Sequence, residues 1–430
     1  MSDAKIPTQD QAAKQEPLEP GQVPEAQVAA EPSRWTLALK EIAGGTAVIS
    51  ILAVIVALVV GAIFIAVFSE KVQAASAYFF AAPGATFAAA WSVISEAYLA
   101  LFHGSIFGNR GDFVQRLVPL SETLFNSTSL IASGLAVALA FRVGLFNIGA
   151  RGQVTIAAIF SGIFAFNVPL PAPWSIIVAI VVGVAGGALW GGIVGILRAR
   201  TGAHEVITTI MLNYIAYYLL IYLLKTPVLQ QAGQVNPKSP PIPEAARLPF
   251  LFPELGWKVD IGFPIVVIVT LGVWWLLNRS SLGFQFRAVG ENPNAARVGG
   301  IDVKNVYLWA MLISGGLAGL AGVLFLHSPT VAGNGLSPGF DAARLGFDAI
   351  TVALLGRSKP LGVLLAGLLF GALRAGSFDM RLFVSIDLVE VIQSVIVLLI
   401  AAPPLVRTLF HLPTPTGFRF RAPKKEVVTR

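Results

Sequence analysis

The chain has 430 residues, 55% of them hydrophobic and only 12% charged, with a formal net charge of +7 and a mean hydropathy of +0.75. A soluble globular chain carries about 25% charged residues. The absence of cysteine excludes a disulfide scaffold, a zinc ribbon and a haem-thiolate site, and the apolar content excludes chain-wide disorder. The expected fold class is therefore all-α, a polytopic membrane protein. Its positive charge then reads as loop lysines and arginines that set orientation, with no nucleic-acid partner.

Residues 1–33 stand apart. Six carboxylates against Lys5 and Lys14 give this stretch a net charge of −4, leaving +11 on the remaining 397 residues. It has no apolar run, so the expectation is a disordered acidic cytoplasmic tail rather than a signal peptide. A transmembrane domain over 34–410 and a basic cytoplasmic tail over 411–430 complete the division.

Ile42–Ser69 holds no charge and is long enough for one span. Arg34 and Lys40 before it place the N-terminus in the cytoplasm. Glu70–Gln115 is expected to be a long outer loop, within which Ala88–Phe102 is apolar enough to lie along the surface or dip into it. Further uncharged windows run Thr123–Phe141, Gly152–Leu197, Val206–Leu224, Ile261–Asn278 and Asn305–Phe340. Asn167, Pro169, Pro171 and Pro173 split the second of these into two spans joined by a tight outer turn. Leu345–Leu355 is too short to cross alone and reads as a half-helix or re-entrant segment. Pro360–Leu373 and Val391–Val406 end the series.

Arg142 with Arg151, Arg198 with Arg200, Arg279 to Lys304, Arg357 with Lys359, and the run Arg419, Arg421, Lys424, Lys425 fall on alternate loops if Leu345–Leu355 counts as one crossing. That gives about ten transmembrane helices with both termini inside. Lys225–Asp260, with Pro237–Pro243, is expected to be an irregular outer loop. The order of spans admits an inverted repeat of helices two to five in the last four. Gly183, Gly187, Gly191 and Gly195 share one helical face, and Gly315 with Gly319 repeats the spacing, which predicts close helix packing within the chain.

Enzyme chemistry finds no constellation. His103, His204, His327 and His411 lack metal-ligand spacing, and no P-loop or nucleophile elbow occurs. No catalytic residue and no metal site are assigned. Polar residues instead gather at three turns. Gly144–Gln153 places Asn147 and Gln153 between two apolar spans, where they either tie the turn to neighbouring helices or line a solute path. Glu205 opens the next span, where its carboxylate suits the helix N-terminus. Asn213 lies two turns deeper and is a path candidate, because polar groups there need partners. In Ser281–Ile301, Asn292 reads as an N-cap and Pro293 as the first helical residue of a short helix ended by Gly299 and Gly300. Such a helix is either a connector or a piece that docks into a partner's groove.

Ala140–Gly149, Glu205–Ile215, Leu282–Ile301 and Gly346–Gly356, taken in order, resemble the permease subunits of ATP-binding-cassette importers of the ribose and branched-chain amino-acid type, within it the simple-sugar and nucleoside subgroup. The resemblance covers roughly 40–408. It implies a multi-pass protein of the bacterial inner membrane that moves a nucleoside or simple sugar by alternating access and is not itself an enzyme. The implied partners are a cytoplasmic ATPase subunit that uses ATP and Mg, a second permease subunit (identical or homologous), an extracytoplasmic substrate-binding protein and membrane lipid. No cofactor is expected in this chain. The resemblance assigns the ATPase-coupling loop to Arg287, Gly290, Asn292, Pro293, Ala295, Ala296, Arg297 and Gly300. Two positions depart from the family pattern: Arg151 stands where Glu is usual and His204 where Asn is usual. An ion-gradient-driven secondary transporter is the alternative. It would need a carboxylate deep in a span, and Glu122, Asp348 and Glu390 are the nearest candidates.

Overall fold

A computed structural model describes residues 46–109, 111–340 and 342–381, with 390, 391, 394, 395, 398 and 408. The two predicted tails, residues 34–45 and most of the window Val391–Val406 lie outside the described residues. So does the last helix of any inverted repeat.

Among the described residues the fold is helical, with one isolated bridge, Phe250 to Asp260, in place of any strand. The principal helices are α1 (Thr46–Phe68), α2 (Pro83–Ser105), α3 (Val118–Arg142), α4 (Ala150–Asn167), α5 (Trp174–Thr201), α6 (Glu205–Leu223), α7 (Gly262–Arg279), α8 (Ser281–Glu291), α9 (Pro293–Val298), α10 (Val303–Leu326), α11 (Ala342–Leu355) and α12 (Pro360–Met380). Seven helical segments are long and apolar enough to cross a membrane, or eight if the bent pair at Ser69 counts as one span. α4 joins them in practice. Its 18 residues reach about 27 Å, and Arg151, Gln153 and Asn167 are what lower its hydropathy. With α11 as a half-helix of 14 residues, the count agrees with about ten.

One expectation changes. Ala88–Phe102 is not a separate surface segment but most of α2, a 23-residue helix that qualifies as a span. Gly104 packs against Asp379, and Gly376 against Leu101, so α2 runs alongside α12 in the same direction. Ser92 and Glu96, hydrogen-bonded at 2.7 Å, interrupt its apolar surface. An apolar cavity of about 650 Å³ lies between α1, α2 and α12, lined by Leu58, Trp91, Tyr98 and Leu373 among others.

The core is built on α3 and α10. Residues 127–140 of α3 are buried without interruption, and 314–324 of α10 likewise. The predicted glycine seam joins α5 to α10. A Cβ on Gly187 would fall 2.5 Å from the Gly315 carbonyl oxygen and 2.6 Å from Gly319 Cα. The missing side chains let the two backbones touch over three turns. α4 ends at Asn167 and α5 begins at Trp174, as the proline cluster between them requires.

Three of the turns predicted to share one side, those at Arg142, Ser358 and Gly290, meet at one end of the bundle. Arg142 Nε donates to the Ser358 carbonyl at 2.9 Å, and Gly290 packs on Arg142 and Val143. At the other end, loop 225–260 is irregular, as expected. It is clamped to the segment after α10: Ser239 N–H donates to Leu336 O, Ile242 N–H to Ala332 O and Leu248 N–H to His327 O.

Candidate functional site

The turn between α3 and α4 is fixed by the buried amides. Asn147 Nδ2 donates to Gln153 Oε1 at 3.0 Å and to Ser314 Oγ of α10 at 2.7 Å. Its Oδ1 accepts the Gly149 N–H at 2.9 Å. Ser314 Oγ in turn donates to Ala136 O of α3 at 2.7 Å. From α6, Asn213 Oδ1 accepts the Gly152 N–H at 2.8 Å, and its Nδ2 donates to Ile148 O at 2.9 Å. All three amides are buried. Of the two sequence alternatives, this geometry is that of the tie: the amides spend their hydrogen-bonding groups on one another and on backbone groups that the broken helix leaves open. The result is one polar knot joining α3, α4, α6 and α10. Ser314 was missed in the sequence, although a lone hydroxyl beside Gly315 in an apolar span was a readable signal.

Glu205 does not cap its own helix. His204 occupies the cap position with no side-chain bond, and Glu205 Oε1 accepts the Phe146 N–H at 3.5 Å. Its other oxygen lies 3.5 Å from Arg198 Nε, an ion pair aligned too poorly to be a hydrogen bond. Arg198 also sits over the Tyr307 ring at 5.7 Å. This latch ties the ends of α5, α6 and α10 to the turn before α4, and nothing in the spacing of Arg198, Glu205 and Tyr307 announced it.

The coupling-loop residues occupy α8 and α9. Ser280 Oγ accepts the Gly283 N–H at 2.9 Å and starts α8. Asn292 Oδ1 accepts the N–H groups of Asn294 and Ala295, each at 3.0 Å, and Pro293 takes the first turn of α9, as predicted. Gly299 follows as the C-cap, and Gly300 has φ +83°, a left-handed conformation that glycine adopts without strain. Asp302 caps α10, a role the sequence reading did not assign. Phe286, Val289 and Ala296 are buried and anchor the pair, while Arg287 is half-buried. Ala295, Arg297 and Val298 are exposed, with Val298 at 91%. Gly290 lies between: a Cβ there would stand 3.0 Å from the Arg142 carbonyl carbon and 3.3 Å from Val143 Cα. The exposed face of α9 is therefore linked to the amide knot through α8, whose backbone at Gly290 rests on the end of α3.

At the opposite end, His327 Nδ1 lies 2.8 Å from Ala246 O and must carry the proton, since a carbonyl only accepts. Its Nε2 is buried without a partner, and burial pushes the ring down to about 4. Asp260 accepts from Ser328 Oγ and from the Gly262 N–H. Burial raises its carboxyl above the usual range against those two bonds.

Comparison with known proteins matches the chain to transporter permeases. The family described as branched-chain amino acid transport system / permease component matches residues 120–401. The chain is 35% identical over 330 residues to the guanosine ABC transporter permease protein NupP of Bacillus subtilis, covering 73% of this chain and 87% of that one. It is 36% identical over 296 residues to the glucose ABC transporter permease protein TsgB13 of Haloferax volcanii, with 65% and 75% covered. It is 33% identical over 316 residues to the nucleoside ABC transporter permease protein NupB of Lactococcus lactis, with 70% and 85% covered. No solved structure matches the chain. The expected recognition is thereby met, and the chain, a multi-pass membrane protein, belongs to the branched-chain amino acid transport system / permease component family.

Proposed function

We propose that the chain is the membrane-spanning permease of an ATP-driven importer for a nucleoside or a simple sugar. It works by alternating access. A cytoplasmic ATPase that uses ATP and Mg docks on α8 and α9, a second permease, identical or homologous, completes the path, and an extracytoplasmic binding protein delivers the solute. The observation that carries this reading is the contact of Gly290 with the end of α3. It gives a partner's push on α9 a rigid route to the knot of Asn147, Gln153 and Asn213, which brace the helices that must rock. The named relatives act on guanosine, nucleosides and glucose, which favours solutes of that class.

The ion-gradient alternative gains no support from Glu122. Its carboxylate is engaged by Lys258 Nζ at 2.6 Å near the start of α3, away from the middle of a span. Vesicles holding the permease with its ATPase and binding protein test the reading: uptake of labelled guanosine, adenosine or glucose should require ATP and survive collapse of ion gradients. Uptake without ATP would reject it.

A further inference from the structure

α6 buries Glu205, Thr209, Asn213, Ala216 and Leu220 on one side. On the other, Ile207, Met211, Tyr214, Ile215, Tyr218 and Tyr222 are each 52–65% exposed. At about 100° per residue these six fall within an arc of roughly 100° that runs the length of the helix. α6 has 19 residues, and Tyr214 is at its midpoint. Tyr217 and Tyr218 follow within one turn.

Tyrosines belong at the two membrane interfaces, where the hydroxyl meets water. In the middle of the hydrocarbon a hydroxyl without a partner is costly. The hydroxyls of Tyr214, Tyr217 and Tyr218 have no protein partner among the described residues. The exposed faces of other helices carry aliphatic and tryptophan side chains instead. On α5 these are Ile177, Val181, Leu189, Ile193 and Ile196, and on α7 Ile268, Leu271, Trp274 and Trp275. Neither has a tyrosine.

Arg151 stands beside this stripe. It is the second residue of α4, and the bond from Gly152 N–H to Asn213 sets the start of α4 level with Asn213, two turns inside α6. Its guanidinium lies 5.2 Å from the centroid of the Tyr217 ring. The α11 backbone at Gly346 closes against the Arg151 backbone, which fixes where the side chain starts. Arg151 has no carboxylate partner among the described residues. A guanidinium at this depth, with only a ring beside it, calls for water.

We propose that the exposed face of α6 is a wall of the water-filled solute path, and that Arg151 with Tyr217 forms a contact station on it for a solute that combines a planar ring with carbonyl or hydroxyl acceptors. The guanidinium fork supplies donors to such acceptors, and tyrosine faces stack on planar rings. The station rests on the nucleoside-or-sugar reading above and narrows it toward the ring-bearing solutes. The amide knot lies behind it, on the buried side of α6.

The absence of native cysteine allows a direct test. Single cysteines at Met211, Tyr214 and Tyr218, with Leu189 and Ile268 as lipid-facing comparators, are introduced into the full permease in its assembled transporter in membranes. The probe is the charged, membrane-impermeant reagent methanethiosulfonate ethyltrimethylammonium. Thiol reaction needs access to water, so the α6 positions should react at least about tenfold faster than the comparators. In a second arm, Arg151→Gln and Tyr217→Leu should each raise the KM for guanosine about tenfold, the loss of roughly 1.4 kcal/mol of solute contact, at equal permease level. α6 thiols as slow as the comparators, whether covered by lipid or by a second subunit, would overturn the proposal. An unchanged KM in Arg151→Gln would also overturn it. The labelling arm needs no transported solute, so a transporter that moves no nucleoside or sugar fails the earlier reading separately.

Discussion

Gly290 of α8 rests against the carbonyl of Arg142 at the end of α3, with the space for a side chain already filled by backbone. Backbone cannot yield as a flexible side chain can, so any Cβ at 290 must lift α8 away from α3. Gly290→Val should therefore leave ATP hydrolysis by the assembled transporter running while uptake falls about tenfold or more. Arg297→Glu, which reverses a charge on the exposed face of α9, should do the same through the partner's side. Paired ATPase and uptake assays at equal permease level check both. Normal uptake in either variant would remove α8 and α9 from the coupling route.

The Arg198–Glu205 latch should matter for stability as well as position. Glu205 is nearly buried and Arg198 only partly so. Glu205→Gln leaves the Phe146 N–H with a weaker acceptor and Arg198 without its counter-charge, an effect between that of a surface and a buried pair, on the order of 2 kcal/mol. Thermal unfolding of the purified permease should show this as a lowered Tm, and an unchanged Tm would make the pair incidental.

The glycine seam permits a matched comparison. Gly187→Leu drives a side chain into the α10 backbone, whereas Gly272→Leu on α7 meets no atom within 4 Å. The first should cost about 3 kcal/mol through overpacking. The second should be close to neutral or slightly stabilising, since it replaces glycine in a helix. Equal Tm shifts in the two variants would contradict the seam.

The clamp at the far end should loosen in acid. His327 stays neutral in the closed clamp down to about pH 4, while a ring in an opened loop binds its proton near pH 6.5. Between these values the open form holds more protons, so closure weakens as the pH falls, by about 2 kcal/mol at pH 5. Asp260 acts in the opposite sense. Its raised carboxyl favours the closed form where protonated, a contribution lost as the pH rises. Measured against the intrinsic exchange rate at each pH, protection of the amides of residues 238–250 should thus be lower at pH 5 than at pH 7.5, and His327→Asn should flatten that difference. A pH step unaltered by the substitution would assign it elsewhere.

Much of the fold was legible because membrane insertion leaves few options. Charge-free windows, the prolines at 169, 171 and 173, the glycine faces and the Asn292-Pro293 cap each have one dominant physical reading. α2 was read as part of an outer loop, and the structure makes it a 23-residue helix in which Ser92 and Glu96 bond to each other. The site was harder. Asn147, Gln153 and Asn213 were visible as polar residues in apolar surroundings, but only three-dimensional pairing shows them tied to Ser314 and to the backbone at Ile148 and Gly152. The Arg198 latch and the Arg151–Tyr217 contact join residues whose partners no local spacing specifies.

The most direct test is uptake by vesicles that contain the permease, its ATPase and its binding protein. ATP inside the ATPase-facing compartment should drive accumulation of labelled guanosine, adenosine or glucose, and Gly290→Val should abolish accumulation while ATP is still consumed. Accumulation that proceeds without ATP, or that follows an imposed ion gradient, would contradict the account.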